Sequence, residues 1–109
     1  MATDDHNGTW PAYIVRALLP HPDCTEKQDA LAAIRRDCER RGRRMPRSYS
    51  DTVQASFEAH NSGSKVFAQR RTTRDADLFY FAGIKGDGKW GLHVGRAFAW
   101  MKKQGYDLG

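Results

Sequence analysis

Only two cysteines, Cys24 and Cys38, and four histidines occur in the 109 residues. That excludes a small scaffold stapled by several disulfides, and pairing of the two thiols is left open by the sequence. His21 and Cys24 have ligand-like spacing, but Cys38 and His60 are scattered, whereas zinc sites pair compact ligands. No metal and no cofactor are therefore expected. No apolar run approaches the ~20 residues needed to cross a bilayer, so no membrane partner is expected. The opening "MATDDHNGTW" lacks the basic start and apolar stretch of a signal peptide. A cytoplasmic protein with reduced thiols is the expectation, nucleoid-associated in a bacterial cell.

Catalytic arrangements are missing as well. "GDGKWG" has neither the length nor the Lys-Ser/Thr ending of a phosphate-binding loop. Asp87 and Lys89 match half of a nuclease carboxylate–lysine motif, with only the distant Asp23 to complete it. No Ser/His/Asp or Cys/His arrangement stands out, and the expectation is a protein that is not an enzyme.

What is present is a basic imbalance carried by arginine. Lys+Arg number 18 against Asp+Glu 13, a net charge of +5. Twelve of the eighteen cations are arginine, the side chain suited to bidentate contacts with phosphate and carboxylate. Seven of them fall in the thirteen residues "RRDCERRGRRMPR", 35 to 47. A basic surface raises the prospect of an anionic partner without naming it.

Residues 1–9 read as a flexible polar tail and 10–109 as a single domain, since the length suits one domain. Thr9 as N-cap and Pro11 in the first turn start a helix, with Tyr13, Ile14, Ala17 and Leu18 on its apolar face. A second helix runs through "TEKQDALAAIRRDCERRG". Thr25 and Gln28 are spaced as a capping box, Ala30, Leu31, Ile34 and Cys38 form its stripe, and Gly42 ends it. A third follows in "PRSYSDTVQASFEAHNSG", with Ser48 or Ser50 as cap and Tyr49, Val53 and Phe57 facing the core. The periodicity then changes. "SKVFAQRR" reads as a short strand, and "LFYFAGI", "KGDGK" and "WGLHV" as a hairpin with a glycine-rich turn. A closing helix is expected at about 96–105.

Three helices followed by a glycine-tipped hairpin is the order of a winged helix–turn–helix domain. The stretches "SYSDTVQASFEAHNSGSKVF" and "DLFYFAGIKGDGKWGLH" resemble such DNA-binding modules, including those found beside restriction-type nucleases. The resemblance implies an α+β winged helix–turn–helix fold: three helices, a short strand plus a β-hairpin wing, and a C-terminal helix. It also implies DNA-facing positions at Arg47, Ser48, Ser50, Thr52 and Gln54 on the third helix, and at Lys85, Asp87 and Lys89 on the wing.

The residues themselves divide the arginine run. Arg35, Arg36, Arg40 and Arg41 end the second helix, where cations suit the negative end of the dipole and need no partner. Arg43, Arg44 and Arg47 crowd the start of the next helix, where cations are disfavoured unless an anion joins them. Gln54 could read adenine and Arg47 guanine. Arg70, Arg71 and Arg74 could add a further basic edge. Phe79, Tyr80 and Phe81 suit a core better than a stacking platform. Phe98, Trp100 and Met101 are candidate contacts of a homodimer. The leading expectation is therefore double-stranded DNA binding by a small transcriptional regulator, sequence-specific or shape-dependent. The alternative is a protein-interaction module, an adaptor or inhibitor, whose basic face binds an acidic protein.

Overall fold

The computed structural model describes residues 9–21, 23–82 and 88–108. They form an α+β structure of five helices and a small three-stranded antiparallel sheet.

Helix α1, Trp10–Leu18, starts after the extended residue Thr9, with proline in its first turn where the missing N–H is no loss. Every residue from Pro11 to Leu18 is buried. The expected one-sided face is thus too narrow a description. Helices α2 (Lys27–Arg41) and α3 (Tyr49–Ala59) and strand β3 (Lys89–Leu92) all pack against α1, and a helix covered on several sides must be apolar nearly all round.

Strand β1, Thr25–Glu26, precedes helix α2, Lys27–Arg41. The capping box expected at Thr25 is not formed. Thr25 is buried in β1 opposite Trp90, and Glu26 takes the N-cap position without a side-chain bond. Strand pairing claims this β-branched residue, and tertiary contact outweighs the local capping preference. Ala30, Ile34 and Cys38 form the buried stripe of α2, and Gly42 closes it in the left-handed region at φ 73°. Helix α3, Tyr49–Ala59, buries Val53 and Phe57 completely.

The largest correction concerns residues 64–71, expected as a strand. Lys65–Gln69 is helix α4, begun by the Ser64 hydroxyl accepting from the Val66 N–H at 3.2 Å. This local capping bond and the packing of α4 on α3 outweigh the β-preference of Val66 and Phe67. The third strand of the sheet is β1 instead. A 3-10 turn at Arg74–Ala76 leads to β2, Phe79–Phe81, and then to β3, Lys89–Leu92. The strand order is β1-β3-β2, with Thr25 opposite Trp90 and Tyr80 opposite Gly91. Helix α5, Val94–Gln104, ends at Gly105 with φ 77°.

Aromatic rings tie α3 to the sheet. Phe57 stacks on Trp90 and Phe79, with centroids 4.0 and 5.1 Å away, and meets Phe81 edge-on. The carbonyl of His60, just past α3, accepts from the N–H groups of both Leu78 and Phe79. At Gly91 an added Cβ would lie 2.2 Å from the Tyr80 ring, so only glycine fits beneath it. Helix α3 and the hairpin β2–β3 are therefore held as one body through Phe57.

Candidate nucleic-acid interface

The arginine run serves several different ends. Arg35 and Arg40 are largely exposed, each side chain at 62%, and Arg36 is exposed too. Arg41 differs from the expectation of a solvated helix end. Its side chain is 12% exposed and its Nε lies 2.8 Å from Asp37. Arg16, from the middle of α1, reaches the other Asp37 oxygen at 2.8 Å, and Arg40 approaches at 2.7 Å. Arg16 and Arg41 also hold Asp107, through its carbonyl and its carboxylate respectively. The cause is Arg16. A guanidinium buried in an apolar helix needs a carboxylate beside it, and Arg41 is drawn to the same group. Burial pushes the Asp37 carboxyl up, but hydrogen bonds from Arg40, Arg16 and Arg41 outweigh it and bring it down to about 2. A lone arginine inside "AYIVRALL" was the sequence signal for this cluster.

Arg43 turns toward α1. Its guanidinium lies 3.9 Å from the centre of the Trp10 ring and 5.0 Å from that of Tyr13, a cation–π arrangement. Of the three arginines assigned to the start of α3, this one is half-buried and packed on rings. Arg44 and Arg47 are exposed, and neither makes an ion pair with a described residue.

These two precede a helix start that lacks a side-chain cap. Ser48 occupies the N-cap position, exposed, and its hydroxyl accepts no bond from the first turn. Beside it, Lys27, Gln28, Arg35, Tyr49 and Ser50 line a groove of about 410 Å³ between α2 and α3. The Arg35 guanidinium sits 6.0 Å from the Tyr49 ring centre. Cationic side chains and an open helix N-terminus converge here, and that combination suits an oxyanion.

The body of α3 is less suited to reading bases. It contains Asp51 and Glu58 and no lysine or arginine. Ser50, Thr52 and Gln54 are half-buried, and the residues fully turned to solvent are Asp51 and Ala55. The Gln54 amide accepts from Lys27 Nζ and donates to Glu58 Oε2 at 3.1 Å. Its donor and acceptor are both engaged.

On the hairpin, Lys89 is exposed and stands opposite Glu26 in the β1–β3 register. Lys85 and Asp87 lie outside the described residues. The hairpin's place beside the helices is set by β1–β3 pairing and by a bond from the Lys27 N–H to the Gly88 carbonyl.

The proposed dimer residues separate. Met101 is completely buried and belongs to the core, which corrects its assignment to a contact surface. Ala97 and Met101, four apart, define the inward face of α5. Trp100 is half-buried and packs on the rings of His60 and Tyr106. Phe98 alone of the three is exposed, at 45%. Among the described residues no group of His, Cys, Asp or Glu is placed to hold a metal. Cys24 and Cys38 are both free thiols, the second fully buried. No described helix is long and apolar enough to cross a membrane.

No protein-family model, no curated protein and no solved structure matches this chain.

Proposed function

We propose that this chain is a winged helix–turn–helix domain that binds double-stranded DNA chiefly through the phosphate backbone, in a shape-dependent manner. It acts by binding, without catalysis, as a small regulator of transcription or of DNA organisation. The observation that carries this reading is the pair Arg44 and Arg47, exposed and without ion pairs to described residues, ahead of the uncapped start of α3. Cations at that end of a helix are disfavoured unless an anion joins them, and a phosphate also satisfies the free N–H groups. The order of elements supports the fold reading in part, since α1, α2 and α3 precede the paired strands β2 and β3, with the short α4 and a 3-10 turn between them. In that architecture α3 enters the major groove and the hairpin, with Lys89, lies on the flanking backbone.

The state of Gln54 favours shape over sequence. Base recognition through its amide competes with the orientation that Lys27 and Glu58 impose, since one lone pair and one N–H are already used. Weak sequence preference is therefore expected. The test is titration of random-sequence duplex at 50 and 200 mM salt. Binding that falls steeply with salt supports the proposal, and Arg44→Ala with Arg47→Ala should reduce the log–log slope by about 1.8. Absence of binding at low salt sinks it.

The second reading is an acidic protein held by Arg44 and Arg47 without α3 entering a groove. The exposed Asp51 and the lack of any cation along α3 oppose insertion of this helix between phosphates. Capture of poly-glutamate, in the absence of duplex binding, would select that reading.

A further inference from the structure

The loop after α4 carries three arginines, Arg70, Arg71 and Arg74, all exposed. None makes an ion pair with a described residue. The neighbouring carboxylates are committed elsewhere. Asp75 turns to Lys103 at 3.5 Å, and Asp77 receives the Arg96 guanidinium and the Ser62 N–H. Three adjacent cations are thus left uncompensated on one short segment.

This segment is fastened to the far end of α3. The Thr72 hydroxyl donates to the carbonyl of Ala59, the last residue of α3, at 2.8 Å. The His60 ring meets the Ala76 carbonyl at 2.9 Å. Arg44 and Arg47 precede the start of the same helix. An 11-residue helix is about 16 Å long, somewhat more than the ~12 Å width of the B-form major groove. Cations at its two ends can therefore meet phosphates on the two edges of the groove.

The backbone adds an independent sign. Arg71 has φ 54°, and among the described residues it is the one non-glycine in that region. It sits just past the end of α4, where its own N–H bonds to Ala68 and the Thr72 N–H bonds to Phe67. Glycine is the usual residue of this closing turn because it lacks the Cβ that the left-handed region crowds. Attraction to the negative end of the α3 dipole accounts for cations nearby. It does not account for arginine at the one position of the loop where a side chain strains the backbone.

We propose that Arg70, Arg71 and Arg74 form a second phosphate-contacting cluster, so that α3 is clamped on duplex DNA from both ends. The proposal rests on the DNA-binding reading above and adds the loop to its contact surface. Each arginine that neutralises a phosphate contributes about 0.9 to the salt slope, close to 8-fold in affinity at 0.1 M salt.

The experiment is duplex titration by fluorescence anisotropy across a salt series, with thermal melts of every variant. Arg71→Gly should hold or raise the melting temperature, because it relieves the left-handed residue. It should nevertheless weaken duplex binding by roughly 5- to 10-fold and lower the slope by about 0.9. The triple change R70Q/R71G/R74Q should lower the slope by roughly 2–3. As a control, Arg36→Gln removes one exposed charge from α2 on the side of the groove it shares with α1 and should lower the slope by well under about 0.5.

If R44A/R47A weakens binding while the loop variants bind like wild type, the second cluster is refuted and the DNA-binding reading stands. If the control weakens binding as much per charge as the loop variants, overall charge is responsible and the second cluster is again refuted. If wild-type protein binds no duplex at 50 mM salt, both readings fall.

Discussion

Replacing Asp37 by asparagine removes the carboxylate shared by Arg16, Arg40 and Arg41 while nearly preserving its shape. The magnitude follows from the site in two ways. The carboxyl titrates at about 2 instead of the ordinary 3.8, and at 1.36 kcal/mol per unit this is roughly 2–2.5 kcal/mol of stability. Because its folded-state value is depressed, that stability is complete above about pH 4 and is lost as pH falls toward 2. Asparagine also takes the Asp37 carboxylate from Arg16, whose side chain is 4% exposed, and breaking a buried pair costs about 3–5 kcal/mol. We expect a loss of about 3 kcal/mol at pH 7 and a drop in melting temperature of roughly 10–15 °C. Thermal and urea unfolding followed by circular dichroism between pH 7 and pH 2 measures both effects. The pH dependence between 4 and 2 should flatten in the variant. Glu39→Gln, on the same helix with its side chain 66% exposed, should change stability by less than about 0.5 kcal/mol. If Asp37→Asn lies within 1 kcal/mol of wild type, or if the two acid profiles run parallel, the account of the Asp37 cluster is wrong.

Two further outcomes test the packing. Gly91→Ala puts a methyl group 2.2 Å from the Tyr80 ring and should destabilise the protein by about 1–3 kcal/mol in urea unfolding, with partial recovery when Tyr80→Ser is added. Burial raises the Cys38 thiol above its ordinary value, so a thiol reagent should modify Cys24 in the native protein and reach Cys38 only on unfolding.

Much of this molecule was fixed by local sequence. Pro11, Gly42 and Gly105 mark helix ends because their backbone chemistry allows little else, and Val53 and Phe57 face inward because four residues make about one helical turn. The hairpin strands and the split of the arginine run at Gly42 were legible for the same reason. Residues 64–71 were not, because a short Val-Phe segment suits either period, and the Ser64 cap and the α3 flank decide for helix.

The tertiary structure alone decided the partners of the charges. In the sequence Arg41 ranks with Arg40 at the end of α2, and Arg43 with Arg44 and Arg47 before α3, yet Arg43 lies on Trp10 and Arg41 on Asp37. Both destinations come from chain distant in sequence or from a carboxylate that the buried Arg16 already requires. The same holds for β1, which exists because β3 has an edge to fill, and for the arrival of Arg70, Arg71 and Arg74 at the end of α3. Composition set how many arginines the chain has. Packing set which of them keep their charge available to a partner, because a guanidinium that is buried or stacked has already found its counterpart within the fold.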